Sequence, residues 1–348
     1  MSLAGSSSLR GMKGRPGLWI LLVALLLSAC DPMQAPPMAT PLRVQFTAAG
    51  DFGSSSRTRE VLNTIEDLDS NLTLALGDLS YGEPGEESEW CRFVTSHLGK
   101  SYPFELLAGN HESNGRDGHI DAFAACLPNR LPGLVGSYGK QYYVDVPAED
   151  PLVRFLMISP GLTFPNGTHE YRSGSTRYNW TARAIDSARS KSIRWVVVGM
   201  HNPCISVGRY SCQAGADLFN LLLAKRVDLI LSGHEHSYQR TKQLALKSGC
   251  RRLIAGSYDP SCVADSDSRL TRGAGSVAVI VGTGGTHQYD VSGSDPEAGY
   301  FATFNGANRN RTYGVLNVTL TPNSLQAAFV EGGSRNLEDA FSITGESG

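Results

Sequence analysis

The chain has 348 residues, 41% hydrophobic and 18% charged, which is enough apolar material for a large buried core in one domain or two. Its formal charge is -2, and Lys and Arg are scattered, with only brief doublets such as Lys225-Arg226 and Arg251-Arg252. Nothing here looks like a polyanion-binding surface, so nucleic acid is not an expected partner, and no protein partner is evident.

At the N-terminus Arg10, Lys13 and Arg15 precede an apolar stretch, 18–27, too short to span a bilayer comfortably, as in an export signal. Its end, Leu27-Ser28-Ala29-Cys30, resembles the lipobox of bacterial lipoproteins. That resemblance implies cleavage before Cys30, acylation of its sulfur and a place on the bacterial cell envelope; an ordinary signal cut, leaving Cys30 incidental and the protein secreted, is the alternative. Residues 1–29 therefore read as a leader, and 30–41, with four prolines from residue 31 on, as a tether.

Beyond the tether, short apolar runs at 42–48, 72–76, 103–108, 153–158, 193–198 and 227–231 predict buried strands. Helical length and pattern fall between them at 57–68, 88–98, 181–190 and 216–224. The C-terminal part changes character: strands are expected at 276–281, 315–319 and 325–330, with no convincing helix among them. The expectation is an α/β domain over 42–345 with a second, partly antiparallel sheet. Polar loops at 161–178 and 292–311 are long enough to shape a cleft or simply to cover the surface.

Setting Cys30 aside leaves Cys91, Cys126, Cys204, Cys212, Cys250 and Cys262, an even set that suits an oxidising compartment. Six cysteines allow 15 pairings. Neighbour pairing, 91 with 126, 204 with 212 and 250 with 262, closes the shortest loops.

Five polar motifs carry the chemistry, each just after an apolar run: Asp51-Phe52-Gly53, Gly77-Asp78-Leu79-Ser80-Tyr81, Gly109-Asn110-His111-Glu112, Val198-Gly199-Met200-His201 and Gly233-His234-Glu235-His236. Residues at the carboxyl ends of sheet strands face one crevice. Together they supply two carboxylates, a phenol, a carboxamide and imidazoles, enough donors for two metal ions sharing one carboxylate. If the segment is extended, His234 and His236 leave one face roughly 6–7 Å apart, so each can address a different ion of a pair held about 3.5–4 Å apart.

In this order the motifs resemble those of the metallophosphoesterase superfamily and, within it, the purple acid phosphatases, over roughly residues 44–330. Most of the superfamily has a histidine where this chain has Gly53; the lost donor is replaced by Tyr81, as in the purple acid branch. The resemblance implies a four-layer α/β/β/α sandwich. It implies one ion held by Asp51, Asp78, Tyr81 and His236 and a second held by Asp78, Asn110, His201 and His234. Three anionic donors favour Fe(III) in the first place, and neutral donors beside the shared carboxylate suit Fe(II), Zn(II) or Mn(II) in the second. His111 would donate to a phosphate oxygen, and Glu112 would cap, orient or take part in catalysis.

The implied reaction is hydrolysis of a small phosphate monoester by hydroxide attacking phosphorus in line with the leaving oxygen. A phosphodiesterase or nucleotidase of the same fold, or a non-catalytic phosphate-binding surface protein, is the alternative. Relatives of the purple acid type place a histidine between V-x-x-H and G-H-x-H to protonate the leaving group, and residues 202–232 contain none. His119, His169, His287 or solvent is left for that role.

Overall fold

The computed structural model describes residues 42–345. The leader, the Cys30 motif and the tether lie outside the described residues. In chain order the first half contains β1 (Val44–Ala49), α1 (Ser56–Asp67), β2 (Leu72–Ala75), α2 (Glu87–Leu98), β3 (Phe104–Leu106), α3 (Asn110–Ser113), α4 (Ile120–Cys126), β4 (Val135–Ser137), β5 (Gln141–Val146) and β6 (Val153–Met157). A small hairpin, β7 (Thr163–Phe164) and β8 (Gly167–Thr168), leads to α5 (Thr176–Ser190), β9 (Trp195–Gly199), α6 (Ala216–Ala224), β10 (Leu229–Ser232) and β11 (Tyr238–Thr241). The remainder is β12 (Gln243–Leu244), β13 (Val263–Asp265), β14 (Arg269–Thr271), β15 (Val277–Val281), β16 (Phe301–Asn305), β17 (Gly314–Leu320), β18 (Ser324–Glu331) and β19 (Leu337–Thr344).

Two large sheets result. Sheet one has seven strands in the order β14-β19-β18-β17-β1-β2-β3, and sheet two has eight in the order β16-β11-β15-β10-β9-β6-β5-β4. The expected second, partly antiparallel sheet is present, and the C-terminal strands are divided between the two: β17 pairs antiparallel with β1, while β15 joins β10 in parallel. Apolar runs announce strands but not their partners, and here the first and last parts of the chain close one sheet.

Alternation along the strands explains the layering. On β9, Trp195 and Val197 belong to the central core, whereas Val196 and Val198 pack with Ala184 and Ile185 of α5 and Leu218 and Leu222 of α6. Phe46 of β1 meets Phe155 of β6 edge to face at 4.9 Å between centroids, and Tyr238 of β11 stacks on Phe329 of β18 at 4.0 Å. Such contacts join the sheets, and truncating Phe155 to Ala would cost about 3–5 kcal/mol. α1 buries Val61, Leu62 and Ile65, and helices thus cover both outer faces in an α/β/β/α sandwich.

α5 begins five residues before the expected helix because Ser175 caps it, accepting from the Tyr178 N–H. The three disulfides are Cys91–Cys126, Cys204–Cys212 and Cys250–Cys262, the neighbour pairing. The first ties α2 to α4, and the second closes a loop just after β9.

Candidate metal centre

β1, β2 and β3 run parallel in sheet one and β9 and β10 run parallel in sheet two, so their carboxyl ends deliver all five motifs to one seam between the sheets. The pairing of β1 with β2 continues past the strands: Asp51 N–H donates to Gly77 O at 3.0 Å and Phe52 N–H to Asp78 O at 3.0 Å. Within these loops Asp51, Asp78 and Tyr81 take φ of 62°, 51° and 52°, and His234 in sheet two takes 67°. Non-glycine residues held there cost of order 1–3 kcal/mol each, and they persist where the surroundings over-determine them. Glu112 is one such determinant, accepting from the N–H groups of Asp78 at 3.1 Å, Leu79 at 2.7 Å and Gly109 at 2.9 Å. Gly109 must lack a side chain, since a Cβ would stand 2.0 Å from Asp78 Oδ1.

The glycine-rich segment 282–287 stitches the seam. Gly50 N–H donates to Val281 O at 2.8 Å, Gly284 N–H to Gly50 O at 2.9 Å and Thr286 N–H to Asp51 O at 3.1 Å.

All seven expected donors meet in this place, in two groups that share Asp78. In the first, the Tyr81 hydroxyl lies 3.1 Å from Asp51 Oδ1, 3.2 Å from Asp78 Oδ2 and 3.1 Å from His236 Nε2. In the second, His201 Nε2 lies 3.3 Å from Asp78 Oδ1, 3.1 Å from Asn110 Oδ1 and 3.1 Å from His234 Nδ1. Backbone carbonyls fix two of the rings: His201 Nδ1–H donates to Leu76 O at 2.8 Å and His236 Nδ1–H to His287 O at 2.7 Å, leaving each Nε2 lone pair aimed into its group. His234 and His236 reach different groups as expected, but not by strand pleat. Glu235 N–H donates to Gly233 O and Ser237 N–H to Glu235 O, two successive tight turns that rotate the imidazoles apart.

The electrostatics suit a cation. Burial would raise the Asp78 carboxyl, but His201 and then His111 hold it well below the usual carboxylate range. Burial lowers His201, yet the Asp78 charge more than offsets this and lifts it to about 9. Burial and then the charge of His201 push His234 down to about 3, so its nitrogens are free of added protons, and Nε2 is buried with no hydrogen-bond partner. Burial and the charges of Asp51 and Asp78 hold the Tyr81 phenol well above its ordinary value. One phenolic proton cannot serve three acceptors. A donor set of two carboxylates, a phenol, an amide oxygen and three imidazoles in this arrangement fits two metal ions, whose binding would displace those protons.

The centre floors a cavity of about 460 Å³ lined on one side by His111, Arg116 and Asp117 and on the other by Arg209, Tyr210, His287 and Tyr289. His111 Nδ1 meets Asp117 Oδ2, and its Nε2 stands 3.5 Å from Asp78 Oδ2. Of the other histidines raised by the sequence, His287 lines this cavity, whereas His119 is the residue just before α4 and His169 is buried against Phe164. Sequence reasoning missed Asp117, Arg209, Tyr210 and Tyr289. Tyr210 stacks on His234 and Tyr289 on His236, with centroids 4.2 and 4.0 Å apart. The available cue was the Cys204–Cys212 loop, which holds Arg209 and Tyr210 directly after a motif histidine.

Residues 44–238 match the profile of the family described as Calcineurin-like phosphoesterase. The chain is 28% identical over 220 residues to purple acid phosphatase 21 of Arabidopsis thaliana, covering 61% of this chain and 47% of that protein. A nucleotide pyrophosphatase/phosphodiesterase of Hordeum vulgare is 23% identical over 343 residues, covering 89% of this chain and 86% of that one. The chain spans about half the length of the Arabidopsis purple acid phosphatases 18, 20, 21 and 22, which are among the curated relatives it matches. Purple acid phosphatase PPD1 from yellow lupin seeds shares the fold, with a TM-score of 0.66 at 16% identity over 88% of this chain and 55% of that one. With the profile covering more than half of its length and the donor motifs in place, the chain belongs to the calcineurin-like phosphoesterase family and is purple acid phosphatase-like within it.

Proposed function

We propose that the protein hydrolyses phosphate monoesters with a two-metal centre of the purple acid type. The observation that carries this reading is the pair of donor groups, Asp51 with Asp78 and His236, and Asp78 with His201 and His234, which share one carboxylate. Asp51, Asp78, Tyr81 and His236 would hold Fe(III), and Asp78, Asn110, His201 and His234 would hold Fe(II), Zn(II) or Mn(II). When bound, such a pair neutralises phosphoryl oxygens and makes water acidic enough to ionise near neutral pH.

The remaining work belongs to the chain. The Asp117 carboxylate accepts from His111 Nδ1–H and so faces Nε2 toward the Asp78 side of the cavity; with a second proton on the ring, Nε2–H can donate to a phosphoryl oxygen or give that proton to the departing alkoxide, leaving the neutral imidazole. Glu112 keeps the Asp78 and Gly109 loops in register, an orienting role. His287, exposed at the rim, is a second candidate for leaving-group protonation.

A panel comparing a monoester with a diester model substrate, run beside metal analysis of the same preparation, tests the reading. Preference for the monoester with two ions per chain is expected. Preference for the diester would favour the second reading, a phosphodiesterase or nucleotidase, which the length shared with the barley relative supports. Phosphate binding without turnover in the metal-loaded protein would make it a binding protein.

The three disulfides accord with an exported protein. We further propose a lipid anchor at Cys30 on a bacterial envelope. Cys30→Ser should then leave the precursor unlipidated and uncut, and normal processing to a soluble form would refute the anchor.

A further inference from the structure

The loop closed by Cys204–Cys212 is held with more care than a surface loop requires. Its backbone is fastened by three buried side chains from elsewhere in the chain. Glu235 accepts from the Arg209 N–H at 2.9 Å, from the Tyr210 N–H and from Ser206 Oγ at 3.1 Å. Gln239 accepts from Val207 N–H at 2.8 Å, and Glu297 from Ser206 N–H at 2.9 Å. Gly208 makes the approach possible, because a Cβ there would lie 2.3 Å from Glu235 Oε2. Glu235 is the residue between His234 and His236, so the segment that aims two imidazoles into the centre also sets the height of this loop.

The loop carries Arg209. Its guanidinium rests over the rings of Tyr289 and Tyr210, at 5.2 and 5.5 Å from their centroids, and those rings stack on His236 and His234. Among the described residues no carboxylate lies within ion-pair distance of that guanidinium, and it makes no side-chain hydrogen bond. Arg116, across the same cavity, has Asp117 at 4.0 Å. An exposed guanidinium with its donors free, held near two aromatic rings and carried on a loop bolted to the donor segment, is suited to bidentate contact with a phosphate.

We propose that Arg209 binds the phosphoryl oxygens of the substrate in this cavity, standing in the interval where the sequence has no histidine. The assignment rests on the phosphoesterase reading. Charge-assisted hydrogen bonds of this kind set the expected effect at about 10- to 100-fold in binding.

Titration calorimetry of the metal-loaded protein with inorganic phosphate, paired with steady-state kinetics on a monoester, tests it. Arg209→Gln should weaken phosphate binding and raise KM by similar factors, about 10-fold or more, with metal content and thermal midpoint unchanged. Arg209→Lys should recover part of the loss, since it keeps the charge but not the planar fork. Equal phosphate affinity in wild type and Arg209→Gln would overturn the assignment alone. Loss in Arg209→Gln accompanied by a lower thermal midpoint, with no recovery in Arg209→Lys, would overturn it in favour of a purely structural role for the stacked side chain. Wild-type protein that carries two metals and binds no phosphate would overturn the phosphoesterase reading and this assignment together.

Discussion

Sheet one ends in oxygen and sheet two in nitrogen: β1, β2 and β3 lead to Asp51, Asp78, Tyr81 and Asn110, whereas β9 and β10 lead to His201, His234 and His236. Neither sheet carries a complete donor group. The first group takes three oxygens from sheet one and one nitrogen from sheet two; the second takes two of each. The site therefore exists only where the sheets dock, and contacts such as His234 N–H to Asp51 Oδ2 at 2.9 Å bind its two halves directly. The hard, anionic half suits a trivalent ion and the mixed half a divalent one, so the asymmetry between the sheets maps onto an asymmetry between the proposed ions.

Asp78 belongs to both groups, and its removal should break the comparison outright. Asp78→Ala should lose both ions and at least about a thousandfold in kcat, checked by metal analysis and kinetics. Two metals still tightly bound would show that Asp78 is not the bridge.

His111 is the imidazole that sheet one contributes. Its role is proposed to be proton donation and not metal binding, so His111→Ala should keep both ions while kcat falls about 10²- to 10⁴-fold. Loss of metal in this variant would move His111 into the donor set.

Tyr81→Phe sharpens the contrast between the groups. The ring should still pack, the first group loses one of three anionic donors, and the visible charge-transfer band expected of an iron phenolate should vanish. Metal in the second group should remain. An unchanged band in the iron-loaded variant would remove Tyr81 from the first group.

Glu105 on β3 lies away from both groups and should affect stability alone. Burial pushes its carboxyl up to about 7 against the help of the Arg130 N–H, and Oε2 has no partner. The folded protein therefore holds this proton more tightly than the unfolded chain, and stability falls as pH rises from 4.5 to about 7. At ~1.4 kcal/mol per pH unit the span amounts to ~3 kcal/mol. Glu105→Gln should flatten that decline and be the more stable protein above pH 7, with unchanged metal content, as denaturant melts across pH would read. A parallel decline in the variant would assign the effect to other carboxyls.

The candidate donors were legible in the sequence because each of their five motifs follows an apolar run and contains a glycine, a combination that few structural roles need. The strands behind them were legible for the same reason. β11 was not: Tyr238, Gln239, Arg240 and Thr241 are all buried, and what holds their polar side chains there includes distant partners such as Asp339, whose Oδ2 accepts from Arg240 Nε at 2.6 Å. α4 has seven residues, too few for its periodicity to stand out. Asp117 and Arg209 escaped because what ties them to the centre is contact across the chain, a partner six residues away over the short turn of α3 for one and the Glu235 anchor for the other.

The stitching of the seam by the N–H groups of Gly50, Gly284 and Thr286, which donate to Val281, Gly50 and Asp51, bears on how the molecule breathes. These amides lie at the junction of both sheets, so exposing any of them to deuterium requires the sheets to part. Their exchange should report the global opening free energy, while the amides of the cavity rim exchange faster. The floor of the site and the core of the fold thus share a single opening event, which leaves the rim as the place where substrate entry can be adjusted without loosening the centre.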